Sequence, residues 1–378
     1  MIELLPFDHE KAVFHLNIEI AHSHARLGET SKAYEILSQV SSMINGDKVM
    51  KMNYNDVLAE VYIQRGQKDS AFKILKEASI LDLVTKSCEN VDTYLIGNLK
   101  RSEKRARQYL KIGLVNQAEK TFSECIRSAH DIYGYENQHK DVAQIYLKLG
   151  HTSIKQKNFL KATEYLEQTK KMMRNIYDKD VVLPFHTYSS DLLMAQEDHK
   201  GALQCLYALL KIVREWGDHT VNPHDLATVY LRMGKCYLIL GKLAAAEHNL
   251  LLSKNYFDKT VVQDGEKATI AEEIYECTFY LAKCCITISG HIDKALALLQ
   301  ETLKGVYISL NSSVPAPHYL DDLDSSLIRI LRAQDKLSDT GAAIGRSCCM
   351  HLGNIYKLMG KEKLALRYFK MSDLYVDV

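Results

Sequence analysis

Histidine side chains near the N-terminus are the first candidates for chemistry, because imidazole can bind a metal ion or transfer a proton. His15, His22 and His24 cluster there, and His15 and His22 share one helical face at a seven-residue spacing. No cysteine and no matched acidic pair accompanies them. We therefore interpret these histidines as a polar or half-buried helix face and not as a metal site.

The cysteines are the second candidates. Cys277, Cys284 and Cys285 occupy neighbouring turns of one predicted helix, a poor geometry for closing four ligands around zinc, so we interpret them as core residues. The nine cysteines show no disulfide spacing, and reduced thiols are expected. The sequence also lacks a phosphate-binding glycine loop and a nucleophile elbow. We predict no catalytic residue, no bound metal, no cofactor and no enzymatic activity.

A recurring spacing of glycine and alanine indicates the elements that hold these residues. Six glycines are each followed five residues later by an alanine, and four residues after that by a large apolar residue. The alanines and their apolar partners are Ala33 and Leu37, Ala71 and Leu75, Ala118 and Phe122, Ala246 and Leu250, Ala295 and Leu299, and Ala365 and Phe369. In five of the six cases a small residue stands seven positions before the glycine, and Lys283 is the exception.

This spacing is typical of a helical hairpin. Two antiparallel helices cross closely only where the crossing carries almost no side chain, and the small residues meet that need. Glycine ends the first helix by adopting a positive φ. Two weaker copies lack the turn glycine: Gly150 with Ala162 and Leu166, and Ser190 with Ala202 and Leu206.

These residues are where the chain resembles the tetratricopeptide-repeat (TPR) family, with extended repeats similar to those of kinesin light chains and nephrocystin-like proteins. The resemblance implies an all-α fold, a right-handed solenoid of about eight helix-turn-helix repeats with one insertion. We expect repeats one to seven over residues 1–303, an insertion over residues 304–341 and repeat eight over residues 342–378, in one continuous solenoid. Within the insertion, residues 319–336 read as an extra helix after a loop.

Charge and hydropathy bear on whether the chain could bind nucleic acid or a membrane. Lysine and arginine total 48 against 47 aspartate and glutamate residues, a net charge of +1, so no global field draws the chain to nucleic acid or lipid. No apolar run of about eighteen residues and no leader pattern is present. We expect a cytoplasmic protein that binds neither nucleic acid nor membrane. Residues 374–378 follow the last repeat without a polar cap, so we expect either assembly through that end or a chain that is part of a longer protein.

In this family the first helix of each repeat lines a concave groove, and the resemblance implies a basic stripe there. Its expected members are Lys104, Arg107, Lys111, Lys148, His151, Lys155, Arg232 and Lys235. Such a stripe suits an extended acidic or phosphorylated peptide. A clamp for a chaperone tail is not expected, because Arg107, His151 and Lys235 stand where that clamp carries asparagine.

The leading hypothesis is therefore a non-catalytic scaffold or adaptor that binds protein or peptide segments in this groove. The alternative is a Rap-type regulator, in which a similar solenoid and an N-terminal helical bundle act on a phosphorylated response regulator. The chain length suits that class. However, the repeats begin near residue 14 and leave no room for the bundle.

Overall fold

A computed structural model describes residues 6–85, 91–134, 139–217, 221–260, 267–288, 291–309 and 339–375. Within these ranges the regular structure is entirely helical, with sixteen α-helices and one short 3-10 helix. The α-helices are α1 (Pro6–Arg26), α2 (Thr30–Val40), α3 (Lys48–Gln64), α4 (Lys68–Thr85), α5 (Val91–Lys111), α6 (Val115–Tyr133), α7 (Lys140–Lys155), α8 (Phe159–Met172), α9 (Lys179–Ala195), α10 (His199–Trp216), α11 (Pro223–Ile239), α12 (Leu243–Asp258), α13 (Lys267–Thr287), α14 (Ile292–Ser309), α15 (Asp339–Leu358) and α16 (Glu362–Asp373). The all-α prediction is confirmed.

The helices form two compact units, Met1–Gln196 and Glu197–Val378. In the first unit, α1 to α8 form four helical hairpins, and the second helix of each packs against the first helix of the next pair. In the second unit, α11 to α16 form three such hairpins, with α10 packed on α11. Helix α14 runs to Ser309 and α15 begins at Asp339, while the predicted extra helix over residues 319–336 lies outside the described residues. The repeat boundaries and the single continuous solenoid stay predictions.

The turn glycines behave as the spacing predicts. Five of them have φ between 71° and 84° directly after a first helix: Gly28, Gly66, Gly113, Gly241 and Gly360. The sixth, Gly290, lies outside the described residues. In the two weaker copies, Lys157 (φ 58°) and Glu197 (φ 65°) take the same left-handed position. Positive φ therefore recurs at this position of the repeat even where glycine is missing.

Small residues at the helix crossings allow the two helices of a hairpin to touch. A Cβ added at Gly234 would lie 2.5 Å from Cγ of Leu250, and one added at Gly353 would lie 2.6 Å from Cε1 of Phe369. The partner alanines Ala246 and Ala365 are buried. Only a nearly bare backbone fits at these points.

The α13–α14 hairpin explains the exception in the small-residue series. Ala282 is completely buried, whereas Lys283 is half-buried and its ammonium lies over the rings of Phe279 and Tyr280. The completely buried residues at this point are thus Ala282 and Cys284, which flank Lys283. Lys283 consequently belongs to the polar side of the helix.

Several helices begin with a polar N-cap residue at the point where the loop ends. Oδ1 of Asp47 accepts hydrogen bonds from the backbone N–H groups of Val49 and Met50 at the start of α3, at 2.9 and 3.1 Å. Asn222 accepts from the N–H of His224, and Pro223 is the first residue of α11. These caps satisfy N–H groups that have no partner within the helix.

Candidate functional site

The eight predicted groove residues fall on three first helices. Helix α5 carries Lys104, Arg107 and Lys111, and helix α7 carries Lys148, His151 and Lys155. These six belong to the first unit, whereas Arg232 and Lys235 lie on α11 in the second. Three- and four-residue spacings keep each set on one helical face. The eight residues therefore form two separate groups, which are described unit by unit.

Two of the three predicted cations on α5 already have carboxylate partners. The guanidinium of Arg107 forms an ion pair with Glu103 one turn earlier on the same helix. Nζ of Lys111 lies 2.9 Å from Oε1 of Glu60 on α3. Residue 60 directly follows Ala59, as Arg107 follows Ala106, so the repeat frame could have identified this carboxylate from the sequence.

Glu60 is a stable anion despite its burial. Burial acts to raise its pKa, but hydrogen bonds from Lys111 and Gln108 outweigh that effect, and the pKa of Glu60 is lowered. Nε2 of Gln108 lies 3.2 Å from Oε2 of this carboxylate. The network fixes α3 against α5 and uses the charge of Lys111 within the protein.

Lys148 differs from these engaged cations. Its side chain is half-buried, and burial lowers its pKa, with a further lowering from Arg107 and an opposing contribution from Glu103. Among the residues that the structure describes, no carboxylate lies within ion-pair distance of Lys148. It is thus a partly desolvated ammonium whose charge the protein does not neutralise locally.

Lys104 is the second such cation. It is half-buried on α5, and no ion pair joins it to any carboxylate in the described part of the chain. The nearby carboxyl of Asp56 is buried, and burial raises its pKa against the opposing charges of Arg105 and Lys104. Asp56 therefore carries its negative charge poorly. The charge of Lys104 also helps to lower the pKa of the buried Glu60, although the two side chains form no ion pair.

His151 extends this face from α7 to α9. Its imidazole stacks on the ring of Tyr188, with centroids 4.4 Å apart and planes at 3°. Lys155 is exposed one turn further on α7. We name the surface formed by Lys104, Arg107, Lys148, His151 and Tyr188 the first-unit face. It combines a flat aromatic pair with two half-buried ammonium groups that form no ion pair within the described residues.

In the second unit the predicted cations are internally satisfied. Nζ of Lys235 lies 2.7 Å from Oε1 of Glu276 and 5.1 Å from the ring centroid of Tyr280 on α13. Burial acts to lower the pKa of Lys235, but Glu276 and Tyr280 outweigh it, and the pKa is raised. Nη1 of Arg232 donates to the carbonyl of Thr228 on its own helix. Sequence reasoning did not identify Glu276 or Tyr280.

The N-terminal histidines do not converge on a common point. Nδ1 of His24 lies 2.5 Å from Oε2 of Glu29, and His15 is exposed. Burial lowers the pKa of His22, and the charge of Lys104 adds to that effect. His22 on α1 is thus close enough to Lys104 for that charge to affect its pKa.

The helical hairpins and their bare crossings form a helical-repeat fold. The sequence profile of the tetratricopeptide repeat matches residues 143–172, which span α7 and α8. The predicted relationship to tetratricopeptide-repeat proteins is thereby confirmed, and residues 143–172 are one such repeat. No curated protein matches the sequence.

Solved structures share the fold at low sequence identity. The apo form of RapI is 13% identical with a TM-score of 0.52, covering 96% of this chain and 97% of that chain. The apo form of the quorum sensor NprR from B. thuringiensis is 12% identical with a TM-score of 0.52, covering 97% and 99%. A Rap protein complexed with Competence and Sporulation Factor is 12% identical with a TM-score of 0.50, covering 96% and 97%. At these identities the likeness concerns the fold alone.

The lengths and hydropathies of the helices were compared with those of membrane-spanning helices. Across the described residues, every helix falls short of the combined length and hydrophobicity that spanning a bilayer requires.

Proposed function

We propose that this protein is a non-catalytic scaffold or adaptor that binds an acidic or phosphorylated peptide segment on its first-unit face. The observation that carries the proposal is that the half-buried ammonium groups of Lys104 and Lys148 form no ion pair within the described part of the chain. A cation held partly away from water binds an anion more strongly than a fully solvated one does, because less water must be displaced.

The remaining residues of the face suit an extended peptide. Arg107 is exposed and pairs with Glu103 on its own helix, a type of ion pair that contributes little to stability. An incoming carboxylate or phosphate can therefore recruit its guanidinium in a bidentate contact. The stacked rings of His151 and Tyr188 offer a flat surface for an apolar side chain of the same peptide.

Of the eight residues in the predicted stripe, Lys104, Lys148 and Lys155 are proposed as direct anion contacts and Arg107 as a recruited one. His151 is proposed as a packing surface. Lys111 and Lys235 are proposed to act structurally, because each already holds a carboxylate. Arg232 is proposed to act structurally as well, because it donates to the carbonyl of Thr228 on its own helix. A Rap protein with the same fold has been solved in complex with Competence and Sporulation Factor, which supports ligand binding as a use of this architecture.

The test measures binding of a fluorescein-labelled peptide that alternates glutamate and phosphoserine. We expect Lys104→Glu with Lys148→Glu to weaken binding at least tenfold. The matched control is Lys73→Glu with Lys171→Glu, which makes the same charge change at exposed positions on the second helices α4 and α8. Equal binding by both double variants would contradict the proposal, since only net charge would then matter. Circular dichroism verifies that both variants keep their helicity.

A second candidate function is the Rap-type regulator. The observation that favours it is the alignment with RapI, which covers 97% of that chain and thus weakens the argument from a missing N-terminal bundle. Against it, α1 already pairs with α2 as an ordinary hairpin around Phe14, Ala21 and Ala33. Faster loss of phosphate from a phosphorylated receiver domain in the presence of this protein would establish the regulator; an unchanged rate would leave the scaffold.

A further inference from the structure

A cysteine, a histidine and a glutamate converge in the second unit, away from the first-unit face. Glu247 lies on α12, Cys285 on α13, and His291 directly before α14. Each offers one ligand atom, and these atoms all lie within 4.8 Å of one another. Cys285 is buried, Glu247 is half-buried and His291 is exposed, so the group opens to solvent on the histidine side.

The donor set has a clear metal preference. A thiolate with an imidazole and a carboxylate suits Zn²⁺ and its spectroscopic substitute Co²⁺, whereas Mg²⁺ and Ca²⁺ take oxygen ligands. Tetrahedral zinc holds such atoms about 3.3–3.8 Å apart, as follows from metal–ligand distances of about 2.0–2.3 Å. Rotation of the Glu247 carboxylate and the exposed His291 ring can supply the required contraction. Three protein ligands leave a fourth position open.

The backbone around the three residues is already fixed. Helices α12 and α14 both pack against α13. The N–H of Ala295 donates to the carbonyl of His291 at 2.9 Å, which holds His291 at the start of α14. Ligands on rigid elements lose little freedom when a metal ion binds.

Lys294 supplies the positive charge that pairs with Glu247 in this group. Its ammonium lies 2.9 Å from Oε1 of Glu247, and its side chain is largely exposed. An exposed ion pair of this kind contributes little to stability, so coordination of a divalent ion can displace it. Burial raises the pKa of the Cys285 thiol, the charge of Lys294 opposes that effect, and the charge of Glu247 adds to it, so the three groups share one electrostatic environment.

We propose that Glu247, Cys285 and His291 form a binding site for a divalent transition-metal ion of the Zn²⁺ type, with Lys294 as the cation that the metal displaces. The site is independent of peptide binding on the first-unit face. No residue is shared between the two.

The test is a titration of the full chain with Co²⁺ under reducing conditions. We expect one Co²⁺ per chain, with a thiolate-to-cobalt charge-transfer band in the near ultraviolet and tetrahedral bands in the visible. Cys285→Ser should abolish the charge-transfer band. The matched control Cys284→Ser changes the neighbouring buried cysteine and should keep it. His291→Gln, at an exposed position, should weaken binding at least tenfold without affecting folding.

Lys294→Gln tests whether Lys294 competes with the metal ion for Glu247, which a lysine that only stabilises the fold would not do. Removal of the competing ammonium should tighten Zn²⁺ binding several-fold, measured by competition with a chromophoric chelator. A wild-type chain without the charge-transfer band would overturn the proposal, as would equal loss of the band in the Cys284 variant. Unchanged affinity after His291→Gln would also contradict the ligand assignment.

Discussion

Lys148 in the first unit and Lys235 in the second are both half-buried lysines on first helices, yet their surroundings differ. Lys235 is held by Glu276 and lies over the ring of Tyr280, and its pKa is raised. Lys148 has no carboxylate within ion-pair distance among the described residues, and its pKa is lowered. The comparison teaches that the position in the repeat puts a lysine on the first helix. The neighbouring helix then determines whether a carboxylate pairs with it or whether its charge can bind a ligand.

The two units also differ at their helix crossings. In the second unit an added Cβ at Gly234 would meet Leu250 at 2.5 Å, whereas in the first unit one at Gly150 would meet Leu166 at 3.3 Å. The second contact is only slightly tighter than an ordinary van der Waals contact. The repeats of the second unit thus tolerate less change at this point.

The largest expected effect tests these crossings. Gly234→Ala should destabilise the protein by about 2 kcal/mol, because Leu250 is fully buried and must shift. Gly150→Ala should change stability by less than about 0.5 kcal/mol, because the better helix propensity of alanine offsets the mild contact. Urea denaturation measures both variants. Equal losses would show that the two crossings are alike.

The next effect tests the two lysines. Lys235→Met should cost about 1–2 kcal/mol, because Glu276 loses its partner. Lys148→Met should instead stabilise the protein by about 0.5–1 kcal/mol at neutral pH, because it removes an uncompensated, partly desolvated charge. Two effects of the same sign in urea denaturation would break the comparison.

The pH dependence gives the same comparison a second measurement. The lowered pKa of Lys148 predicts that wild-type stability rises as pH increases from its folded value towards the unfolded value near 10.4, and Lys148→Met should lose that rise. The raised pKa of Lys235 predicts a contribution that is present at neutral pH and is lost as pH rises through its folded pKa. Denaturation curves between pH 7 and about pH 10 distinguish the two lysines, because only Lys148 gives a slope there, whereas the loss from Lys235 begins above the unfolded value near 10.4.

The smallest expected effect concerns the turns without glycine, one in each unit. Lys157→Gly and Glu197→Gly should each stabilise the chain by about 0.5 kcal/mol, because relief of the left-handed strain exceeds the added freedom of the unfolded chain. The reverse change Gly66→Lys should destabilise by about 1 kcal/mol. A loss of stability in both glycine variants would show that the native side chains make contacts worth more than the strain.

Much of the fold could be predicted from the sequence, because each hairpin crossing requires small residues at fixed, short spacings. Gly28, Gly66 and Gly113 adopt the positive φ that their spacing predicts, and Ala33, Ala71 and Ala118 are completely buried. Each rule involves residues within about a dozen positions, which is the range over which helical periodicity holds. The burial of Ala282 was not predicted, because the neighbouring Lys283 interrupted the pattern.

The sequence by itself determined which residue types occur on each first helix, and it placed Lys104, Lys148 and Lys235 there through the period of the α-helix. Only the tertiary structure decided that Glu60 engages Lys111 and that Glu276 engages Lys235. It alone brought Glu247, Cys285 and His291 together from two helices and the residue before a third. The physical reason is that ion pairing and metal binding depend on distances of a few ångströms between side chains far apart in the chain. Helical periodicity specifies a face, but packing sets those distances.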